Sequence, residues 1–321
     1  NIALDKALSD IKENKAFISA LVYGVTEKKI TLDYFIDKYA QGRIKPKVRI
    51  VLWLGAYQLL FMDKVPSSAS INESVKLVKE IKQDYYSKLV NAVLHKIDND
   101  RQIPDDLSVK YSVPENLINM WKKQYGEDVL NEFLPCINDK PPLFAIPNKK
   151  FVNSDELLYE LECDGILGEA YDEFVLIENA NDLTASKAFK NGLFYIEDLS
   201  SFNCANALDA LSDDLVLDMC SAPGGKAFTI SQSMNNSGKI YCYDLHEHRL
   251  NLIKSSAKRL SIDNIYTDVN DATVYNENIP KADKILCDVP CSGFGIIRRK
   301  PEIRYKDLDS VKDLPQIQYK I

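Results

Sequence analysis

Four short apolar segments alternate with more polar segments in the last third of the chain, and this alternation constrains the fold more than any other feature. The apolar segments are LVLDMC, KIYCYD, NIYTDVND and KILCDVP, and EHRLNLIKSSAKRL between the second and the third has helical spacing. Strands that alternate with helices predict a parallel, doubly wound α/β sheet. In such sheets, ligands bind at the carboxyl ends of the strands.

The first hundred residues predict an all-α bundle, because apolar residues recur there at spacings of three and four. The segment VRIVLWLGAYQLLFMD is apolar on nearly all sides, which is typical of a central helix. After Pro66, Ser70 and Glu73 form a capping-box pattern that predicts a helix start at Ser70. Further along, SDELLYELECDG predicts a helix that is capped by Ser154.

These patterns together predict a multidomain protein. We expect a helical domain over 1–102, a helical connector over 103–140 and a small α+β subdomain over 141–200. The α/β sheet domain then occupies 201–321. A chain of 321 residues is long enough for each part to contribute a core.

Composition narrows the class of protein. The net charge of -7 argues against a generally basic nucleic-acid binder, although a local basic stripe can still bind RNA. Seven cysteines without a CxxC pair and only three histidines argue against disulfides and a zinc site. No apolar run is long enough to span a bilayer. We therefore expect a cytoplasmic protein with no membrane contact and no metal ion.

The first strand of the sheet leads into a glycine-rich turn, LDMCSAPGGKAF. Such a turn lets backbone N–H groups approach a ligand, and the helix N-terminus that follows favours negative charge. The turn lacks the glycine spacing of a phosphate-binding loop, and Ala227 stands where that loop has Ser or Thr. A dinucleotide G-x-G-x-x-G pattern is also absent. An ordinary tight turn remains the alternative at this point.

Acidic residues follow the next two strands. Asp244 ends the second strand, where an acid can accept hydrogen bonds from both ribose hydroxyls of a nucleoside cofactor. Asp271 follows the third strand and could accept a hydrogen bond from an adenine amine. Each acid alone is more typical of a solvated strand end. A loop and two acids on consecutive strand ends favour an adenosine-containing cofactor.

The fourth strand ends in CDVPCSGFG, which places Asp288 and Cys291 at the same edge of the sheet. A thiolate at this position could act as a nucleophile, whereas a lone cysteine is more often a small buried hydrophobe. The segment that follows is strongly basic and could bind the phosphates of a polynucleotide. Its candidate RNA ligands are Arg298, Arg299, Lys300 and Arg304.

Several of these segments occur together in one known family. LDMCSAPGGK, DLHEHR, DVNDA, DVPCSGFG and RRKPEIRY resemble, in this order, the motifs of the Sun-type (RsmB) 16S ribosomal RNA cytosine-5 methyltransferases. The helical front, with VYGVTEKKITLDYFI and KLVNAVLHKI, resembles the NusB-like RNA-binding domain of that family. The resemblance covers nearly the whole chain. It implies a Rossmann-like methyltransferase sheet and an RRM-like fold for the small α+β unit.

The resemblance implies S-adenosylmethionine as cofactor and a flipped-out cytosine of 16S ribosomal RNA, or of a small-subunit assembly intermediate, as substrate. It places Asp244 at the ribose, Asp271 at the adenine and Asp288 between cofactor and base, as both base and cofactor contact. Cys291 would resolve the covalent adduct and release the product. The residues that would contact the amino-acid end are Cys220, Ser221, Ala222, Pro223, Gly224, Gly225 and Lys226. We expect a monomer.

Two positions depart from the family pattern, since Ile146 replaces an Arg and Glu197 replaces a Gln. We expect neither to touch the cofactor residues. In the family the attacking thiolate comes from a Thr-Cys motif, and no Thr-Cys pair occurs in these 321 residues. We therefore expect that the sequence is truncated at its C-terminus, that the nucleophilic cysteine lies beyond Ile321, and that this fragment alone does not complete methylation.

Two other functions compete with this prediction. A non-catalytic RNA-binding or antitermination-type factor could keep a degenerate methyltransferase core, but such a core has no need for Asp244 and Asp271 beside the glycine loop. A DNA cytosine-5 methyltransferase would use Cys291 itself as nucleophile. The helical front and the RRKPEIRY segment disfavour that alternative.

Overall fold

A computed structural model describes residues 2–9, 11, 14–179 and 182–321, which form two compact units. The first unit runs to Lys140 and also contains Gly293–Leu308. The second unit contains Pro141–Ser292 and Asp309–Ile321. Within the described ranges, no helix has both the length and the apolar character that crossing a membrane requires.

The first unit is helical, as its apolar periodicity predicts. Its central helix is α4, which contacts α2, α3, α5 and α6 and buries residues such as Leu52 and Ala56. The helices are α1 (Ile2–Leu8), α2 (Lys15–Glu27), α3 (Lys29–Tyr39), α4 (Pro46–Phe61), α5 (Ser67–Glu80), α6 (Ser87–Asn99), α7 (Leu107–Tyr111), α8 (Glu115–Tyr125) and α9 (Glu127–Cys136).

Two predicted helix starts are wrong. Helix α5 begins at Ser67, directly after Pro66, so Ser70 lies inside the helix and its hydroxyl donates to the Gly55 carbonyl at 3.1 Å. A proline can end the extended segment and start a helix at once, which moves the start one turn earlier. Helix α10 (Ser154–Cys163) is capped by Asn153 rather than by Ser154, because the Asn153 side chain accepts from the Glu156 N–H.

The second unit begins with a small four-stranded antiparallel sheet. Its strands are β1 (Leu143–Pro147), β2 (Gly168–Ala170), β3 (Val175–Ile177) and β4 (Phe194–Ile196), in the order β2-β3-β1-β4. Helix α10 (Ser154–Cys163) follows β1, and the short helix α11 (Lys187–Lys190) precedes β4. The chain therefore runs β-α-β-β-α-β, the split βαβ arrangement.

Both faces of the small sheet are covered. Ala145, Val175 and Phe194 pack with the α10 side chains, whereas Ile146 and Tyr195 belong to the core of the larger sheet. Ile146, the position where the resemblance leads one to expect an Arg, is thus a fully buried apolar residue. The shared core explains why this subdomain and the larger sheet form one unit.

The larger sheet contains β5 (Leu215–Asp218), β6 (Lys239–Asp244), β7 (Ile265–Val269) and β8 (Lys284–Leu286). All pairings are parallel and the order is β7-β6-β5-β8, which confirms the parallel sheet that the sequence predicts. The associated helices are α12 (Leu199–Asn206), α13 (Gly225–Ser233), α14 (Glu247–Leu260) and α15 (Leu314–Lys320). Helices α12 and α13 contact each other, and α14 contacts β6 and β7.

The basic segment belongs to a different unit from the one in which the sequence analysis placed it. Gly293–Leu308 folds as short 3₁₀ turns within the helical unit. Phe294 and Ile297 are buried there, and so is the side chain of Arg304. Buried apolar side chains and the buried guanidinium of Arg304 stabilise this segment within the helical unit. The net charge of the segment predicts neither contribution.

Candidate active site

The predicted site residues of the sheet meet at one edge. Asp218 is the last residue of β5 and pairs in register with Cys242 of β6 and Leu286 of β8. Asp244 is the last residue of β6, and Asp288 is the second residue after β8. Because the strands are parallel and adjacent, their carboxyl ends lie side by side.

The glycine-rich loop lies across these strand ends. The Ser221 N–H donates to the Tyr243 carbonyl of β6 at 2.8 Å, and the Gly224 N–H donates back to the Ser221 carbonyl at 2.8 Å. Gly224 has φ +108°, and a Cβ there would lie 2.8 Å from the Phe228 ring. Only glycine accepts this conformation and this close approach without strain. The loop then enters α13 at Gly225.

Arg249 ties the loop to the end of β6, a role that the sequence analysis missed. Its Nη1 pairs with Asp244 Oδ2 at 2.8 Å and its Nη2 donates to the Ala222 carbonyl at 2.7 Å. The His246 N–H also donates to Asp244 Oδ1 at 3.1 Å. Each carboxylate oxygen still has a second lone pair, so Asp244 can accept further hydrogen bonds.

Asp218 is a buried carboxyl beneath the loop. It is 1 % exposed, and neither carboxylate oxygen accepts a well-aligned hydrogen bond from the described residues. Burial raises the pKa of Asp218 to about 6, and the nearby Ser221 hydroxyl and Cys220 N–H oppose this shift. The hydroxyl of Ser221 and the amide nitrogen of Asn270 are likewise buried without a well-aligned partner in the described part of the chain. Buried polar groups without partners are costly, and they indicate a site for a ligand.

Lys226 and Asp288 form an ion pair at this edge. Lys226 Nζ lies 2.7 Å from Asp288 Oδ2 and 3.3 Å from the Ser201 hydroxyl. Burial alone lowers the pKa of Lys226, but the hydrogen bond and charge of Asp288, joined by the charge of Glu197, raise it above the ordinary lysine value. The lysine is 17 % exposed and the carboxylate 54 %. A mostly buried ammonium therefore holds a solvent-accessible carboxylate in place.

The two cysteines at the site differ in environment. Burial, with a contribution from the charge of Asp218, raises the pKa of Cys220 to about 11, so this thiol is not a thiolate at neutral pH. Cys291 is exposed, and the preceding Pro290 carbonyl accepts from Gln318 Nε2 at 2.8 Å. Cys291 is therefore accessible to a substrate.

Asp271 lies at the mouth of a cleft beside β6 and β7. Its Oδ1 accepts from the N–H and the hydroxyl of Thr273, and the side-chain bond, then the backbone bond, lowers the pKa of Asp271. The cleft has a volume of about 660 Å³, within the range of small-molecule sites. It is lined by Leu245, Val269, Asn270, Asp271, Val274, Tyr275, Asn276 and Glu277.

The prediction for Glu197 is wrong, because Glu197 lies against the glycine-rich loop that we expect to bind the cofactor. It lies next to Gly225, where an added Cβ would stand 2.8 Å from Glu197 Oε1. Its carboxylate accepts from the Thr229 hydroxyl of α13 at 2.6 Å. The sequence places Glu197 in another subdomain, and only the shared core brings it under the loop.

The structure corrects one of the four predicted RNA ligands. Arg304 is 1 % exposed, and its guanidinium donates to carbonyl oxygens of the helical unit, so it cannot contact phosphate. Arg298 is half-buried and donates to the Lys140 carbonyl at 3.1 Å. Lys300 is exposed. Arg298, Arg299 and Lys300 stay candidates for RNA binding.

Comparison with known families gives two matches along the chain. The model of the family described as 16S rRNA methyltransferase RsmB/F matches residues 205–321, and the NusB family model matches residues 2–99. A probable ribosomal RNA small subunit methyltransferase B of Bacillus subtilis (strain 168) is 35% identical, over 98% of this chain and 73% of that protein. The corresponding protein of Escherichia coli O127:H6 is 28% identical, over 98% and 74%.

Solved structures show the same architecture. PH0851 superposes with a TM-score of 0.79 at 26% identity, over 98% of this chain and 75% of that one. NSun6 from Pyrococcus horikoshii, solved with SFG, superposes with a TM-score of 0.59 over 64% of this chain and 78% of that one. At 19% identity the second likeness shows the fold alone.

Proposed function

The chain belongs to the ribosomal RNA small subunit methyltransferase B family, and from this premise we propose that it methylates carbon 5 of a cytosine in 16S ribosomal RNA with S-adenosylmethionine. One observation carries the proposal. The glycine loop, the acids Asp218 and Asp244, and the Lys226–Asp288 pair all lie at one edge of a single parallel sheet. The groups proposed to bind the cofactor therefore lie next to the Lys226–Asp288 pair, which is proposed to act in the reaction.

The residues at this edge fit the cofactor. The ammonium group of the cofactor needs an acceptor, and Asp218 is a buried carboxylate that no described residue satisfies with a well-aligned hydrogen bond. Asp244 can accept from the ribose hydroxyls while Arg249 holds it. The cleft beside Asp271 and Asn270 is large enough for an adenine. When bound, S-adenosylmethionine supplies an electrophilic methyl group.

The chemistry assigns distinct roles to the reactive residues. Carbon 5 of cytosine is a poor nucleophile until a thiolate adds to carbon 6. Once carbon 5 has been methylated, Asp288, held by Lys226, accepts the remaining hydrogen of carbon 5 as a proton, and elimination of the thiolate restores the double bond between carbons 5 and 6. The resemblance assigns the attacking thiolate to a Thr-Cys pair and gives Cys291 a role in the breakdown of the adduct.

The helical unit is the proposed RNA-binding part. It matches the NusB family, and its segment Gly293–Leu308 contributes Arg298, Arg299 and Lys300 for phosphate contacts. The resemblance implies an RRM-like fold for the small subdomain, but both faces of its sheet are covered. We propose that it supports the methyltransferase core and does not bind RNA with a sheet face.

Isothermal titration with S-adenosylhomocysteine tests the cofactor site. Asp244→Asn should weaken binding about tenfold, since it removes charge-assisted acceptors for the ribose and loosens the Arg249 link to the loop. The exposed Asp263→Asn variant is the matched control and should bind as the wild type does. No detectable binding by the wild type contradicts the proposal and favours the non-catalytic RNA-binding factor.

The second test concerns Cys291. In protein expressed from the complete reading frame, Cys291→Ala should accumulate covalent RNA–protein adducts, because addition proceeds while release is slowed. Denaturing gels of reactions with 16S ribosomal RNA fragments measure these adducts. Cys163→Ala, an exposed cysteine of α10, is the control and should form no stable adduct. Complete loss of adducts with Cys291→Ala would instead identify Cys291 as the nucleophile.

A further inference from the structure

Glu197 is a buried acid that the proposed mechanism does not use. It follows β4 and is 7 % exposed. Its Oε1 faces Gly225 closely enough that a Cβ there would collide with it, and its Oε2 accepts from Thr229. The carboxyl therefore lies directly against the first turn of α13, one residue before Lys226.

A directional chain of hydrogen bonds ends on this carboxyl. Gln232 Nε2 donates to the Tyr195 hydroxyl at 3.1 Å, which lies 2.8 Å from the Thr229 hydroxyl. The Thr229 hydroxyl donates onward to Glu197 Oε2 at 2.6 Å. Each hydroxyl has one proton to donate, so every donor in the chain points toward Glu197. This series of hydrogen bonds holds the Glu197 carboxyl in place, so that only its protonation state can change.

The surroundings make that charge sensitive to pH near neutrality. Burial raises the pKa of Glu197 to about 7, against the hydrogen bond from Thr229 and the charge of Lys226, which oppose the shift. Among the residues that the structure describes, the charged and titratable groups whose fields act on it are Lys226 on α13 and its own neighbours Tyr195 and Asp198. Lys226 is the one cation among them, and Asp288 shares it.

We propose that Glu197 is a positioning residue for the loop Gly224–Lys226, and that its ionisation weakens binding of the cofactor's amino-acid end. The inference rests on the proposed function, because it takes the loop as the site of that end. An ionised Glu197 and the ligand carboxylate compete for the positive charge of Lys226. A protonated Glu197 leaves that charge to the ligand and to Asp288.

The test measures the dissociation constant of S-adenosylhomocysteine from pH 6 to pH 8. This probe has the carboxylate and the ammonium of the cofactor but no sulfonium charge. Glu197→Gln keeps an acceptor for Thr229 and cannot ionise, whereas Asp218 titrates in both proteins and cancels from their ratio. By linkage, the affinity of the wild type relative to Glu197→Gln should therefore fall about fivefold over this range as Glu197 loses its proton. The exposed Glu160→Gln is the control and should follow the wild type.

Two outcomes separate this inference from the proposed function. Equal pH dependence in wild type and Glu197→Gln overturns the role of Glu197 while leaving the cofactor site intact. Absence of binding by the wild type at every pH overturns the cofactor site itself. Urea unfolding without ligand tests the ionisation of Glu197 independently. The urea midpoint of Glu197→Gln relative to wild type should rise as the pH increases from 5 to 8, because only the wild type then buries a charge at this position.

Discussion

Replacing Arg304 with alanine should lower the free energy of unfolding of the helical unit by roughly 3 kcal/mol. The Arg304 guanidinium is buried and donates to the carbonyl oxygens of Glu27 at 2.9 Å and Ser112 at 3.0 Å. Both its Nη atoms also donate to Asn138 Oδ1 at 3.2 Å. Truncation would leave these carbonyls without donors and create a cavity.

The acceptors explain why a charge is tolerated at this position. Glu27 ends α2, and Ser112 follows the last residue of α7, so two helix C-termini point their unpaired carbonyls at Arg304. Helix C-termini carry partial negative charge and favour a cation. Burial lowers the pKa of Arg304, but an arginine keeps its proton in proteins. Arg304 therefore holds the segment Gly293–Leu308 in the helical unit, because its positive charge caps two helix C-termini.

The two tryptophans, Trp53 and Trp121, make the measurement specific. Both lie in the helical unit, so urea unfolding followed by tryptophan fluorescence reports that unit alone. Arg304→Lys should lose less than Arg304→Ala, because an ammonium keeps the charge but not the planar fork. The exposed Arg43→Ala is the control. A loss below about 1 kcal/mol for Arg304→Ala would contradict a capping role.

The parallel arrangement of the larger sheet was predictable, but the unit to which the basic segment belongs was not. Parallel strands must alternate with crossovers, so the periodicity of LVLDMC and its successors is enough to predict the sheet. In contrast, RRKPEIRY has the composition of a solvated face. Its Arg304 is buried because carbonyls distant in sequence meet there, and a local pattern does not contain that information.

The same limit applies to the site. The glycine loop, Asp244 and Asp288 were predictable because strand ends of a parallel sheet lie at one edge. Asp218, Arg249 and Glu197 were missed, since their roles depend on burial and on partners from other segments. Asp218 could have been predicted in the same way as Asp244, because it is the last residue of β5 and therefore lies at the same edge of the sheet.

Asp218→Asn should make the stability of the second unit less dependent on pH. Burial raises the pKa of Asp218 from 3.8 to about 6. The stability that its protonated form provides is therefore complete below pH 4 and is lost as the pH rises through 6. A shift of this size corresponds to about 3 kcal/mol. The free energy of unfolding of Asp218→Asn, relative to wild type, should thus increase by about 3 kcal/mol between pH 4 and pH 8.

Urea unfolding at each pH, followed by far-ultraviolet circular dichroism, measures this difference, while tryptophan fluorescence reports the helical unit separately. Glu197 titrates in both proteins and cancels from the comparison. A difference that stays constant from pH 4 to pH 8 would show that Asp218 is not held as a buried charge. The same variant should bind S-adenosylhomocysteine at least about tenfold more weakly, because the ligand ammonium loses its carboxylate partner. A residue whose charge lowers the stability of the free protein but strengthens ligand binding is placed for binding. In the complex, the ligand offsets the cost of burying that charge.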